Sequence, residues 1–108
     1  MRRGDIVTIS TPGDYGKARP AIIVQSDRLD ATKSVMVCPM TSTDVDAPLA
    51  RLRVAPLPET GLRVVSFAMV EKMTATRREK CGPVIGRLPA ELLQTLGEMI
   101  VVVMGLAD

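Results

Sequence analysis

The sequence predicts a mainly β fold of the α+β class: six or seven short strands in a small barrel or tightly curled sheet, followed by one long C-terminal helix. Three observations predict it. The chain has 108 residues, enough for one domain over 1–108 and too few for two. Short β-branched and apolar runs alternate with Pro- and Gly-punctuated loops at close spacing. A sustained helical periodicity occurs only after Pro89.

Asp-Ile-Val-Thr-Ile-Ser at 5–10 is short and β-branched, and reads as the first strand. Thr11 to Ala18 is a loop containing Pro12, Gly13 and Gly16. Arg19–Ser26 is the second strand, and its continuous run Ala21-Ile22-Ile23-Val24 marks a strand buried on both faces. Asp27–Lys33 is polar, with room for one helical turn. Ser34–Met40 is the third strand, and Thr41 to Pro48 a hydroxyl-rich loop. Leu49–Ala55 alternates, with Leu49, Leu52 and Val54 set against Arg51 and Arg53, the pattern of a strand with one wet face. Pro56–Gly61 is a turn, Val64–Met73 two short strands or one bent one, and Arg77–Lys80 a solvated charge cluster. Gly82–Gly86 is the last strand. Pro89 then opens a helix, since its missing N–H is not needed at a first helical position. Leu92, Leu93, Leu96, Met99, Ile100 and Val103 form its apolar stripe, and Gly105 its stop. Ile100–Met104 is apolar on more than one face, which fits core packing or an interface with a second copy or another protein.

The chain contains no His, which removes Ser-His-Asp and Cys-His catalysis, His-ligated zinc and a His-based ribonuclease. Tyr15 and Phe67 are its only aromatics, too few for an aromatic platform on which successive bases stack or for a groove that binds Pro-rich peptides. Cys38 and Cys81 lie far apart with no CxxC, and read as reduced structural thiols rather than metal ligands. No cofactor or metal is expected. The net charge of +2 is too mild to identify a nucleic-acid binder, although the excess lies in the first 54 residues. Gly4-Asp5 follows Arg2-Arg3 where a signal peptide would turn apolar, and no apolar run approaches the roughly 20 residues of a membrane span. A cytoplasmic protein is expected.

Several motifs carry chemistry together with a plainer reading. Arg3-Gly4-Asp5 spells the cell-adhesion tripeptide, but reads as a turn into the first strand. Gly13-Asp14-Tyr15-Gly16-Lys17 fails the P-loop pattern at both ends, at Thr11 and Ala18. Pro20 restricts Arg19 to an extended backbone at a loop–strand junction. A guanidinium held there suits bidentate contact with a phosphate, or equally a salt bridge to a nearby Asp. Thr41, Ser42 and Thr43 donate to a phosphate oxygen or cap the following turn. With Lys17 and Asp14, Arg19 and Thr41 make a small oxyanion-binding set, provided the two loops meet in space.

Arg3-Gly4-Asp5-Ile6-Val7, Arg19-Pro20-Ala21-Ile22-Ile23-Val24, Val37-Cys38-Pro39-Met40-Thr41-Ser42, and Gly82 to Pro89 running into a helix together resemble the MazF/PemK family, the toxins of type II toxin–antitoxin modules. The resemblance spans nearly the whole chain in order. It implies an SH3-like barrel with a C-terminal helix, a homodimer, and a metal-independent, sequence-specific endoribonuclease acting on single-stranded RNA. It further implies a cognate antitoxin that blocks the RNA site. The family's key Arg falls on Arg19 and its key Thr on Thr41, and its loop Glu aligns with Asp14. Two positions depart: Tyr15 stands for a Gln, and Glu71-Lys72-Met73-Thr74 lacks the Arg of the usual Glu-Gln-apolar-Arg. Lys72, Arg77 and Arg78 are then the candidate substitutes as phosphate contacts.

The chemistry is compatible with a His-free chain. RNA carries its own nucleophile, the 2′-OH, so the enzyme must position the phosphate and stabilise developing charge. Arg19 and Thr41 suit that task. Arg19 is assigned to charge stabilisation, with general acid as a second role, and Asp14 is a base or an orienter of Arg19. The alternative is a non-nucleolytic toxin of the same barrel that poisons a protein such as DNA gyrase, in the manner of the CcdB toxins. A non-catalytic interaction domain ranks last.

Overall fold

A computed structural model describes residues 1–10 and 17–108. Seven strands and one helix follow one another: β1 (Asp5–Ser10), β2 (Ala18–Ile23), β3 (Ser34–Thr41), β4 (Arg51–Val54), β5 (Ser66–Met69), β6 (Thr74–Arg77), β7 (Val84–Arg87) and α1 (Ala90–Val103). All paired strands are antiparallel. The sheet runs β4-β5-β3-β2-β1-β7, with β6 also on β3, and curls into a half-barrel with α1 against its inner face.

β3 is the central strand. Its first half pairs with β6 (Ser34↔Arg77 to Val37↔Thr74) and its last two residues with β5 (Met40↔Ala68, Thr41↔Phe67). A one-turn 3-10 helix at Val70–Lys72 separates β5 from β6 and takes up the three-residue change in register between them. The segment Val64–Met73, expected as two short strands or one bent one, holds only β5 and this turn; β6 follows at Thr74–Arg77 and takes in Arg77, the first residue of the expected charge cluster.

Side chains on the sheet divide by strand period into two cores. Ile6, Ile22, Cys38, Met40, Leu52, Val54 and Ala68 face Leu88 and Leu96. Val7, Ile9, Ala21, Ile23, Val35 and Val37 form the opposite, outer core, with Cys81 against it. This is why Ala21-Ile22-Ile23 reads as a continuous apolar run. Leu96 is fully buried, and Leu92, Leu93, Met99, Ile100 and Val103 pack beside it, so the helical stripe is as expected. Burying one such Leu contributes about 1.5–3 kcal/mol.

The helix ends at Val103, and Gly105 stops it. Gly105 adopts φ +75°, Leu106 N–H donates to Val101 O at 2.9 Å and Gly105 N–H to Val102 O at 3.0 Å, a Schellman stop. Pro89 is the cap rather than the first helical residue. Leu49 also departs from expectation. Arg51 N–H donates to Ala47 O at 2.9 Å, a turn that keeps Leu49 out of β4 and leaves it 71% exposed.

The Arg3-Gly4-Asp5 segment is architectural. Gly4 adopts φ +94°, its N–H donates to Ile23 O at 2.8 Å, and its carbonyl accepts from Leu88 N–H at 2.8 Å. A Cβ there would lie 2.9 Å from Leu93 Cδ2. Asp5 accepts from Arg87 Nη1 at 2.7 Å, and Arg3 Nη1 donates to Val24 O. No helix among the described residues is long and apolar enough to cross a membrane.

Candidate active site

The site begins with a missing donor. Val24 N–H donates to Met36 O at 3.1 Å, which puts the hydrogen-bonded positions of the β2–β3 ladder at even-numbered residues, 24 and 22. The next is 20, and Pro20 has no N–H to give to Met40 O. The ladder stops at Ala21↔Pro39. Two residues further, beyond its end, Arg19 of β2 and Thr41 of β3 stand across an opening. A proline interrupting a central strand is uncommon, and here it creates a gap.

The gap is the mouth of a cavity of about 550 Å³ whose wall includes Arg19, Thr41 and Ser42. Two segments from distant parts of the chain thus meet as the oxyanion-binding set requires. Thr8 and Ser66 add two further hydroxyls, and Arg63 a second guanidinium. Two guanidinium groups on one wall, Arg19 and Arg63, suit an anion. Thr41 Oγ1 accepts from Thr43 N–H at 3.1 Å, which orients the hydroxyl at the strand end and leaves its proton for another acceptor. Ser66 Oγ is buried and donates to Val64 O at 3.1 Å.

Arg63 carried no sequence signal. Its loop is held by Gly61, whose φ is +68° and whose Cβ, were there one, would lie 1.9 Å from Ile85 O. Thr60 Oγ1 fixes the preceding turn by donating to Ala55 O at 3.0 Å while fully buried. Gly86 packs as closely from the other side, where a Cβ would meet Thr60 O at 2.1 Å. This crossing of two backbones sets the wall on which Arg63 stands.

Other expected contacts fall elsewhere. Asp14 and Tyr15 lie outside the described residues. Lys17 and Thr43 flank the cavity segments in sequence but are not on its wall. Arg77 pairs with Ser34, seven residues along β3 from Thr41, and forms an ion pair with Glu79 at 3.3 Å. Arg78 is not a free surface charge: its Nη2 donates to Leu29 O at 2.8 Å and its Nε to Thr32 O, tying the 3-10 turn Arg78–Lys80 to the 29–32 loop. Lys72 lies in the turn between β5 and β6, off the cavity wall.

Both cysteines are free thiols. Burial pushes the Cys38 thiol up to about 12, and nearby Glu71 adds to the effect. Cys81 is raised by burial against the opposing Arg78 charge. Neither is a nucleophile at neutral pH. Among the described residues, no cluster of three His, Cys, Asp or Glu side chains is placed to hold a metal ion.

Over 108 residues the chain is 45% identical to the probable endoribonuclease MazF of Mycolicibacterium smegmatis, covering 99% of both chains. The Mycobacterium tuberculosis toxin MazF-mt6 superposes with a TM-score of 0.79 at 22% identity, over 95% of this chain and 97% of that one. A mycobacterial endoribonuclease solved in complex with its cognate antitoxin gives 0.80 at 19% identity, over 98% and 96%. These two solved structures share the fold. Residues 2–104 match the model of the PemK-like, MazF-like toxins of type II toxin–antitoxin systems, and the chain belongs to that family.

Proposed function

We propose that this protein is the endoribonuclease toxin of its module, cutting single-stranded RNA, mRNA in particular, at defined sequences without a metal ion. One observation carries the reading: Arg19 and Thr41, from strands separated in sequence, line one cavity where Pro20 ends the ladder between them. A scissile phosphate seated there receives the Arg19 guanidinium on a non-bridging oxygen. Thr41 and Ser42 donate hydroxyl protons to the same group. The substrate's 2′-OH attacks phosphorus, the P–O5′ bond breaks, and Arg19 offsets the negative charge that builds on the phosphoryl oxygens. The products carry 2′,3′-cyclic phosphate and 5′-OH ends. Asp14 orients Arg19 or takes the 2′-OH proton, and Arg19 is the candidate donor to the leaving oxygen.

The protein acts in the cytoplasm as a homodimer, as one domain, and is silenced by a cognate antitoxin. The exposed apolar residues Val101, Val102, Met104 and Leu106 at the end of α1 support the dimer. Lys17 and Thr43 contact the RNA on either side of the cavity.

The test is cleavage of a mixed single-stranded RNA by antitoxin-free protein in EDTA, with fragment ends mapped by sequencing. Discrete cuts that fall by about 10²–10³ in rate in Arg19→Ala match loss of one oxyanion-type donor. No cutting by the folded wild-type dimer overturns the reading in favour of a toxin that poisons a protein partner.

A further inference from the structure

Thr41 sits at one position of a row that crosses three strands. It pairs with Phe67 of β5, and Phe67 pairs with Arg53 of β4. Directly opposed residues of antiparallel strands share a face, with Cβ atoms about 4.5–5.5 Å apart. Thr41, Phe67 and Arg53 therefore stand side by side on the outer face of the sheet, in that order leading away from the catalytic gap. Phe67 is only partly buried, although it is the largest apolar side chain of β5. It borders a second cavity of about 410 Å³, with Arg53 and the loop residues Asp44 and Asp46 also on the wall. Arg51, on the same face, is spent: its Nε donates to both Glu71 carboxylate oxygens at 3.0 and 3.1 Å. The Arg53 side chain is exposed and makes no hydrogen bond or ion pair among the described residues.

We infer that Phe67 is the stacking surface for the nucleobase adjacent to the cleaved phosphate. On this reading Arg53 lies beside that base, one strand further from Thr41. The inference deepens the ribonuclease reading and rests on it. The chemistry of the wall selects the occupant. Two carboxylates disfavour a phosphate inside this cavity but accept hydrogen bonds from the amino group of a base. The partly exposed ring offers the π-face that every base can use. One ring does not make a platform for successive bases. It makes one subsite, a single strand spacing from Thr41.

The experiment measures binding apart from cleavage, using a fluorescein-labelled 2′-O-methyl RNA that cannot be cut, made on the sequence that the wild type cleaves or, if it cleaves nothing, on a mixed-sequence pool. Phe67→Leu keeps an apolar side chain on β5 and removes the stacking face, and thermal melting confirms that it folds. Its affinity is expected to fall about five- to hundred-fold, the range for loss of one stacked base. Phe67→Trp installs the sole tryptophan of the chain, whose fluorescence is expected to quench as RNA is added. Cleavage by the wild type with undiminished affinity in Phe67→Leu and no quench in Phe67→Trp overturns this subsite and leaves the ribonuclease standing. A wild type that neither cuts nor binds RNA overturns both.

Discussion

At the scale of single residues, the cavity pairs one guanidinium that the sequence announces with one that it does not. Arg19 is legible because Pro20 follows it at a loop–strand junction. Arg63 has no motif around it and is placed by the contact between residues 60–61 and 85–86, which no local pattern encodes. A charge-assisted contact from Arg63 to substrate phosphate predicts that Arg63→Ala lowers kcat/KM about 10- to 100-fold. Arg63→Lys should recover part of this, since an ammonium keeps the charge but loses the fork. Steady-state cleavage of a short RNA containing the mapped site measures both. Cys38 carries a prediction of a different kind. Its thiol ionises near 9 when unfolded and near 12 when buried. Between those values the folded chain holds a proton that the unfolded chain has lost, so stability is unaffected below about pH 9 and falls as pH rises toward 12. The loss approaches about 1.4 kcal/mol per pH unit. Urea unfolding at pH 8, 9.5 and 11 should show this slope in the wild type and a shallower one in Cys38→Ala.

Among the elements, the β2–β3 ladder is the most instructive. Pro20 removes one donor from a central strand, and the gap proposed as the RNA site is the result. Pro20→Ala restores that donor. The expected variant is as stable as the wild type or slightly more so by thermal melting, yet cuts RNA at least ten times more slowly, because pairing with Met40 narrows the mouth and frees Arg19 from its restricted backbone. Unchanged cleavage would separate the proline from the opening. The elements also show what kind of information a sequence holds. β1 spans Asp5–Ser10, as its β-branched run indicates, and α1 follows its 3.6-residue stripe. Both are patterns within a few residues. Leu49 misled as a member of the apolar set: it has the parity of Arg51 and Arg53, so the alternation holds only from Arg51 onward, after the turn bonded to Ala47 O. The Thr41–Phe67–Arg53 row arises only from the register of three strands, so Phe67 reads as ordinary strand filler until the sheet is assembled.

For the molecule as a whole, the two cores explain its shape. The sheet is apolar on both faces, α1 covers the inner face, and the proposed site lies at a strand end, where Arg19 and Thr41 belong to neither core. What the fold leaves uncovered is the end of the helix, where Leu106 is 74% exposed beside Met104 and Val102. Light scattering should find the wild type at twice the chain mass. Val102→Glu with Leu106→Glu should be monomeric, with an unchanged far-UV spectrum, since neither side chain belongs to a core. A wild type that stays monomeric at micromolar concentration would remove the dimer from the proposal.

The pairing of Asp5 with Arg87 has a consequence in time. The first strand of the sheet waits for its outer neighbour until the ribosome has made four fifths of the chain, and the inner core waits longer, for Leu96. At about 5–20 residues per second this delay lasts seconds. A nascent chain that has passed Thr41 already carries both Arg19 and Thr41, but not β7 or the helix that hold the barrel around them. The pair proposed for the site is therefore synthesised early and assembled late, so on that assignment a ribosome making this protein is spared its activity until the message has almost been read.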